Sequence, residues 1–167
     1  MKITNNFTLE EIEYSETAVR NGFINKVPPD GFTIMETLFK CVMQPLREAT
    51  GGIIVTSGYR SPRINELVGG SYKSQHIYKY SDGAACDFVS SLKRINNIKL
   101  VNMIIQLDLP FDQLILEYPS SYNGGWVHVS IAGINNTNRK QILVKDKGMP
   151  YYLVTEKNKY GVKTNGW

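Results

Sequence analysis

Cysteine is nearly absent from this chain: Cys41 and Cys86 are the two thiols among 167 residues. That excludes a disulfide scaffold and points to a protein made in the reducing cytoplasm. Long apolar runs are missing as well, none approaching the ~18 residues of a membrane-spanning helix. The start, MKITNNFTLEE, lacks the apolar stretch of a secretory signal, so none is expected. Fourteen Gly and seven Pro scatter without a period, which rules out collagen-like and low-complexity sequence. Excess charge is small: nineteen Lys and Arg against fifteen Asp and Glu leave +4. This permits a polyanionic partner without selecting one. The basic residues are dispersed, Lys93-Arg94 and Arg139-Lys140 being the only adjacent pairs, so nucleic-acid binding has no motif behind it. What is present, 42% hydrophobic and 20% charged residues, suits one domain over 1–167 with a single core.

The first half predicts helices. Thr8, with Glu11 three residues on, is a capping-box pattern that starts a short helix through Leu9 and Ile12. Ser15 caps a second helical segment that Gly22 ends. Pro28-Pro29-Asp30-Gly31 is a turn. Over 32–50, Ile34, Met35, Leu38, Phe39, Val42, Met43 and Leu46 recur at helical spacing. Pro45 should kink or tighten the last turns of this helix, and Gly51-Gly52 stops it.

Ile53-Ile54-Val55-Thr56 reads as a buried strand ended by Ser57-Gly58. Residues 61–82, rich in Gly, Ser, Asn and Tyr, read as a long irregular stretch of the kind that usually carries function. A short apolar strand over 84–89 follows, then an amphipathic helix over 93–107. Strands are expected at 112–118, 126–131, 141–146 and 151–155, and a flexible end over 157–167. The order predicts an α+β domain, an antiparallel sheet with helices packed on one side.

The chain has two histidines, His76 in the irregular stretch and His128 mid-strand in Trp126-Val127-His128-Val129-Ser130. A lone His is more often a satisfied structural residue than a ligand. With Asp87 on the strand after His76, however, two imidazoles and a carboxylate supply the three protein ligands of a catalytic zinc site. The fourth position is then left for water. A hairpin with Pro119 opposite Trp126 would set Glu117 directly opposite His128, ~4.5–5.5 Å away at Cβ. Gln113, Ile115, Trp126 and Ser130 would share that face, with Leu114, Leu116, Val127, Val129 and Ile131 on the core face. There Glu117 suits a general base for a metal-bound water whose pKa falls to ~7. Alone it would read as a solvated strand residue. Arg60 sits at a strand exit. It can hold a substrate carboxylate or an oxyanion there, or tie the loop to a helix carboxylate.

The segments Ser57-Gly58-Tyr59-Arg60-Ser61, Asn65, Gly69-Gly70, Ser74-Gln75-His76, Gly83-Ala84-Ala85-Cys86-Asp87 and Trp126-Val127-His128-Val129-Ser130 follow one another in order. Asn6-Phe7-Thr8-Leu9-Glu10-Glu11, Gln44-Pro45-Leu46-Arg47-Glu48 and Gln113-Leu114-Ile115-Leu116-Glu117 accompany them. Together they resemble the zinc D-alanyl-D-alanine carboxypeptidase family, peptidase M15, particularly its small phage and bacterial members, over roughly 5–131. The resemblance implies His76, Asp87 and His128 as ligands of one zinc ion per chain. It implies Glu117 as the catalytic acid/base, Arg60 as a substrate and transition-state contact, and Ser74 lining the site. Gln113 and Trp126, on the face of Glu117, are further candidate substrate contacts. The fold implied is the one shared with the Hedgehog signalling domain, and the substrates implied are peptidoglycan peptides, usually cut next to a D-amino acid.

One departure stands out. The family pattern Ser-x-His-x-x-Gly-x-Ala-x-Asp has six residues between His and Asp, whereas ten separate His76 from Asp87. A loop insertion costs on the order of a kcal/mol or less, so the ligands still converge if the extra residues bulge outward. Asp82 then stands near the usual spacing and competes with Asp87. The intact Gly83-x-Ala85-x-Asp87 and its apolar neighbours favour Asp87. Cys86 is expected to face away as a small buried residue. Trp126 stands where some members carry another His, leaving Glu117 as the only obvious base.

Two functions follow. One is a zinc-dependent peptidoglycan peptidase of D,D-carboxypeptidase or endopeptidase type, monomeric, acting on the wall after lysis or delivery as phage endolysins do. The other is a non-catalytic wall-binding or phage structural protein of the same fold, with the widened loop as its main support.

Overall fold

In the computed structural model, which describes residues 1–154, 158 and 160–162, local capping sets the N-terminal segment. Helix α1 (Leu9–Glu13) begins at Thr8, whose hydroxyl accepts from the Glu11 N–H, and α2 (Glu16–Asn21) at Ser15, which accepts from Ala18. Gly22 ends α2 in the left-handed conformation. The helix expected over 32–50 runs as α3 (Phe32–Leu38), a π turn (Phe39–Met43) and α4 (Gln44–Thr50). Pro45 does not tighten the helix. The backbone widens just ahead of it, which accommodates a ring that would clash with the carbonyl four residues back.

Six strands form one sheet: β1 (Ile53–Ser57), β2 (Ala84–Ser90), β3 (Gln113–Glu117), β4 (Trp126–Ile131), β5 (Gln141–Lys145) and β6 (Tyr152–Leu153). Their order is β1-β2-β4-β3-β5-β6. The sheet is mixed instead of antiparallel, because β3 and β5 run parallel. Edge availability explains this. Strand β2 already pairs with one edge of β4, so the chain leaving β4 crosses through 132–140 to the free edge of β3. It arrives where β3 begins, with Gln141 beside Gln113, and from there it can run only in the direction of β3.

Helix α6 (Asn97–Gln106) starts later than expected, at the Asn96 cap, and packs Leu100, Val101, Ile104 and Ile105 against β2, β3 and β4. Cys86, Phe88, Leu114, Leu116, Val127, Val129 and Ile131 fill the sheet's core face. Burying a large side chain of this kind contributes ~1.5–3 kcal/mol. Strand alternation therefore delivers Asp87, Ile115, Glu117, Trp126, His128 and Ser130 to the opposite face.

Residues 61–82 are more regular than their composition suggests. Ser61 caps α5 (Pro62–Leu67), with Pro62 at its first position, and Gln75–Ile77 form a 3-10 turn. The extra residues after His76 do not all bulge outward. Ile77 and Tyr78 are buried, and the Tyr78 hydroxyl donates to the Ala85 carbonyl at 3.0 Å. Only 79–82 protrude, closed by a bridge between Lys79 and Gly83. Gly83, at φ 112°, is required there, since a Cβ would stand 2.1 Å from the Ile131 carbonyl oxygen.

Strand β6 covers only Tyr152 and Leu153 of the expected 151–155, and Thr155 lies outside the described residues. Most of the flexible end expected over 157–167 also lies outside them. Of those described, Tyr160 donates its hydroxyl to Asp146 and Val162 is buried, so neither is loose.

Candidate metal centre and its cleft

Asp87 and His128 face each other directly across β2 and β4. The expected partner of His128, Glu117, instead opposes Trp126, while Ile115 opposes His128. The register differs by two residues because the chain turns early. Tyr118 adopts φ 52°, its N–H donates to the Lys145 carbonyl at 2.6 Å, and Gly125 sits where a Cβ would be 1.8 Å from the Glu117 oxygen. A shift of two preserves parity. Glu117 stays on the face of His128 as a diagonal neighbour, ~7–8 Å away by strand geometry.

His76 reaches these strands from the 3-10 turn. Ser74 accepts from its N–H at 3.3 Å, and its carbonyl accepts from the Arg60 N–H at 2.9 Å. Its Nδ1 lies 2.7 Å from the Gly58 carbonyl oxygen. A carbonyl can only accept, so Nδ1 carries the proton and Nε2 presents a lone pair. Nε2 stands 3.2 Å from Asp87 Oδ1 and 3.3 Å from His128 Nδ1, and the latter two are 2.8 Å apart. Donors at ~2.0–2.1 Å around a tetrahedral zinc ion stand roughly 3.3 Å from one another. Moreover, a bare Nε2 and a carboxylate oxygen at this separation repel unless a cation lies between them. The donor set fits a metal on both counts.

These three residues are the one such cluster of His, Cys, Asp or Glu among the described residues. Asp82 is outside it, exposed and paired with Lys79 at 3.5 Å. Cys86 is buried on the core face, its thiol pushed well above the ordinary range by burial and by Asp87.

Burial depresses His76 below the usual imidazole range, more strongly than Asp87 raises it, and keeps the ring neutral. Burial pulls Asp87 upward, but the flanking imidazoles, with His128 Nδ1 in hydrogen-bond contact at 2.8 Å, hold it well below the carboxylate range. Arg60 donates from Nη2 to Asp87 Oδ2 at 2.5 Å and from Nε to Ser57 Oγ at 2.8 Å. A bulge between Val55 and Ser57 sets Ser57 opposite Asp87. Arg60 thus ties the loop to a strand carboxylate, not to a helix. Glu117 is shifted upward by burial and by the Asp87 charge.

A cleft of about 1050 Å³ is bordered by His76, Asp87, His128, Arg60 and Glu117, and by Ser74, Gln113 and Trp126. Gln75 of the Ser74-Gln75-His76 motif also lines it, as do Lys73, Asp112, Arg139 and Tyr151, which the sequence did not point to as site residues. Half-exposed Tyr151 has its phenol pushed up to about 12 by burial and the charge of Glu117. Arg139 lies in the crossover to β5 and Tyr151 in the turn before β6, stretches without a motif that only the assembled sheet brings back to the site. The indole Nε1 of Trp126 is buried without a hydrogen-bond partner among the described residues.

A family model described as Peptidase M15 matches residues 5–130, well over half of the chain. No curated protein matches it.

Proposed function

The chain belongs to the peptidase M15 family, and from that premise we propose that it is a zinc-dependent peptidase hydrolysing peptidoglycan peptides, of D,D-carboxypeptidase or endopeptidase type. The reading is carried by the convergence of His76 Nε2, Asp87 Oδ1 and His128 Nδ1 in the cleft that also holds Glu117. A zinc ion held by these three would polarise the scissile carbonyl and acidify a water.

The remaining chemistry belongs to side chains. The hydrogen bond from His76 Nδ1 to Gly58 fixes the tautomer that leaves Nε2 free to ligate. Glu117, its carboxyl already shifted toward neutrality, takes the proton of the attacking water and returns it to the departing amine. Arg60 uses two of its five donors on Asp87 and Ser57 and turns the others to the oxygen that becomes negative. Ser74, Gln113 and Trp126 border the space for the peptide. The net charge of +4 suits an anionic wall.

The test is metal analysis with peptidoglycan digestion. The expected result is about one zinc per chain, release of peptide fragments, and loss of release with zinc retained in Glu117→Gln. A wild type that holds no metal and leaves the wall intact would overturn the reading in favour of a wall-binding protein.

A further inference from the structure

Past the metal ligands, the cleft reaches a guanidinium that none of these roles uses. Arg139 lies in the 132–140 crossover and is locked onto Asp112. Its Nε donates to Asp112 Oδ1 at 2.9 Å, its Nη2 to Oδ2, and its backbone N–H to Oδ1 at 2.8 Å. Asp112 is itself buried, and the Gln75 amide grips it at 3.1 Å from the position just before His76. Yet 51% of the Arg139 side chain remains exposed where it borders the cleft. Two of its side-chain donors are engaged, which leaves three N–H groups for a ligand. Lys73 borders the same cleft, and its contact is with the Tyr72 ring at 5.5 Å, with no ion pair among the described residues.

A guanidinium pre-oriented by a buried carboxylate loses little freedom on binding an anion. With Lys73 on the same cleft, two cations stand against the one charge of Asp112. Of the other acids that line the cleft, Asp82 is paired with Lys79 and Asp87 with Arg60, and Glu117 stands with Asp87 at the metal ligands. The anion a peptide brings into such a cleft is a carboxylate. The Asp112 N–H donates to the carbonyl of Ser130, two residues along β4 from His128. At ~3.4 Å per strand residue, plus the side chain, Arg139 stands roughly 10 Å from the metal ligands, the reach of about three extended residues.

We propose that Arg139 and Lys73 form a carboxylate-binding subsite that selects peptides bearing an acidic group about three residues from the scissile bond. The inference rests on the peptidase reading and names its substrate class.

Calorimetric binding to zinc-reconstituted Glu117→Gln protein tests it without requiring turnover. The probes are D-alanyl peptides with Glu at that position, with Gln there, or with the C-terminal carboxylate alone at that distance. An acidic probe should bind about tenfold more tightly than the Gln peptide. Preference for the Glu probe identifies a side-chain carboxylate, and preference for the third probe a terminal one. Arg139→Gln is combined with Asp112→Asn so that no buried charge is stranded, and this should bring the ratio to about one. Exposed Lys73→Gln, which does not depend on that core pair, should lower it about threefold. Equal binding of all probes, or a preference that survives these changes, overturns the subsite. Discrimination in a protein whose wild type cuts no peptide sinks the peptidase reading alone, and cutting without discrimination sinks the subsite alone.

Discussion

Asp87 and Glu117 are carboxylates on one face of one sheet, flanking β4 on its two sides, 5% and 9% exposed. Their chemistry is nonetheless pushed in opposite directions. Asp87 lies against two imidazoles and a guanidinium and is held ionised. Glu117 makes no ion pair among the described residues, feels the negative charge of Asp87, and holds its proton more tightly than an exposed Glu. Burial raises both, so burial does not distinguish them. Their neighbours do, and they divide one residue class into a fixed anion and a proton carrier.

The contrast can be broken outright. Asp87→Ala should remove metal and hydrolysis together, with metal affinity falling by more than the ~10–100-fold typical of outer-shell changes, as read by chelator competition. Glu117→Gln should cost about 10²–10⁴ in kcat while metal content stays at that of the wild type. Equal metal loss in both variants would erase the distinction. Arg60→Gln should come next, about 10–100-fold in kcat/KM. Metal affinity should change less than in Asp87→Ala, since the ligand loses a neighbour and not its charge.

The smallest effect sharpens the contrast by its sign. In metal-free protein, the raised Glu117 carboxyl favours the folded state only while protonated. That contribution is present below its unfolded pKa, near ~4.3, and is lost as pH rises through the folded value. Glu117→Gln should therefore melt a few degrees higher than wild type at pH 7, with the gain vanishing below about pH 4. Depressed Asp87 behaves in reverse. Its contribution is present above ~3.9 and is lost as pH falls toward the folded value, so Asp87→Asn should melt lower at pH 7 and converge with wild type in acid. Melting curves of the same sign for both would contradict the opposed displacements.

Much of this site was legible in the sequence because its signals are local or parity-based. Alternation placed Glu117 on the face of His128 even though the register was two residues off, since an even shift cannot move a side chain through a sheet. The capping residues Thr8 and Ser15 act over three residues and were read directly. Helix α5 was missed although Ser61-Pro62 is a cap followed by a favoured first residue, because the Gly and Ser around it outweighed that signal. The parallel β3–β5 pair, the direct opposition of Asp87 to His128, and the return of Arg139 and Tyr151 to the cleft depend on which strand edge was free. That is settled only when the whole sheet is assembled.

The Tyr78 side chain works as a peg. Seated in the interior immediately after His76, it anchors the near end of the 79–82 tip, and the tip itself is stitched to the 132–140 crossover: the Ile134 N–H donates to the Tyr80 carbonyl at 3.0 Å and the Asn136 amide to the Ser81 carbonyl at 2.8 Å. The lengthened loop is therefore a clasp between the His76 turn and the segment that carries Arg139, and any residue added to it has to leave those two stitches in place.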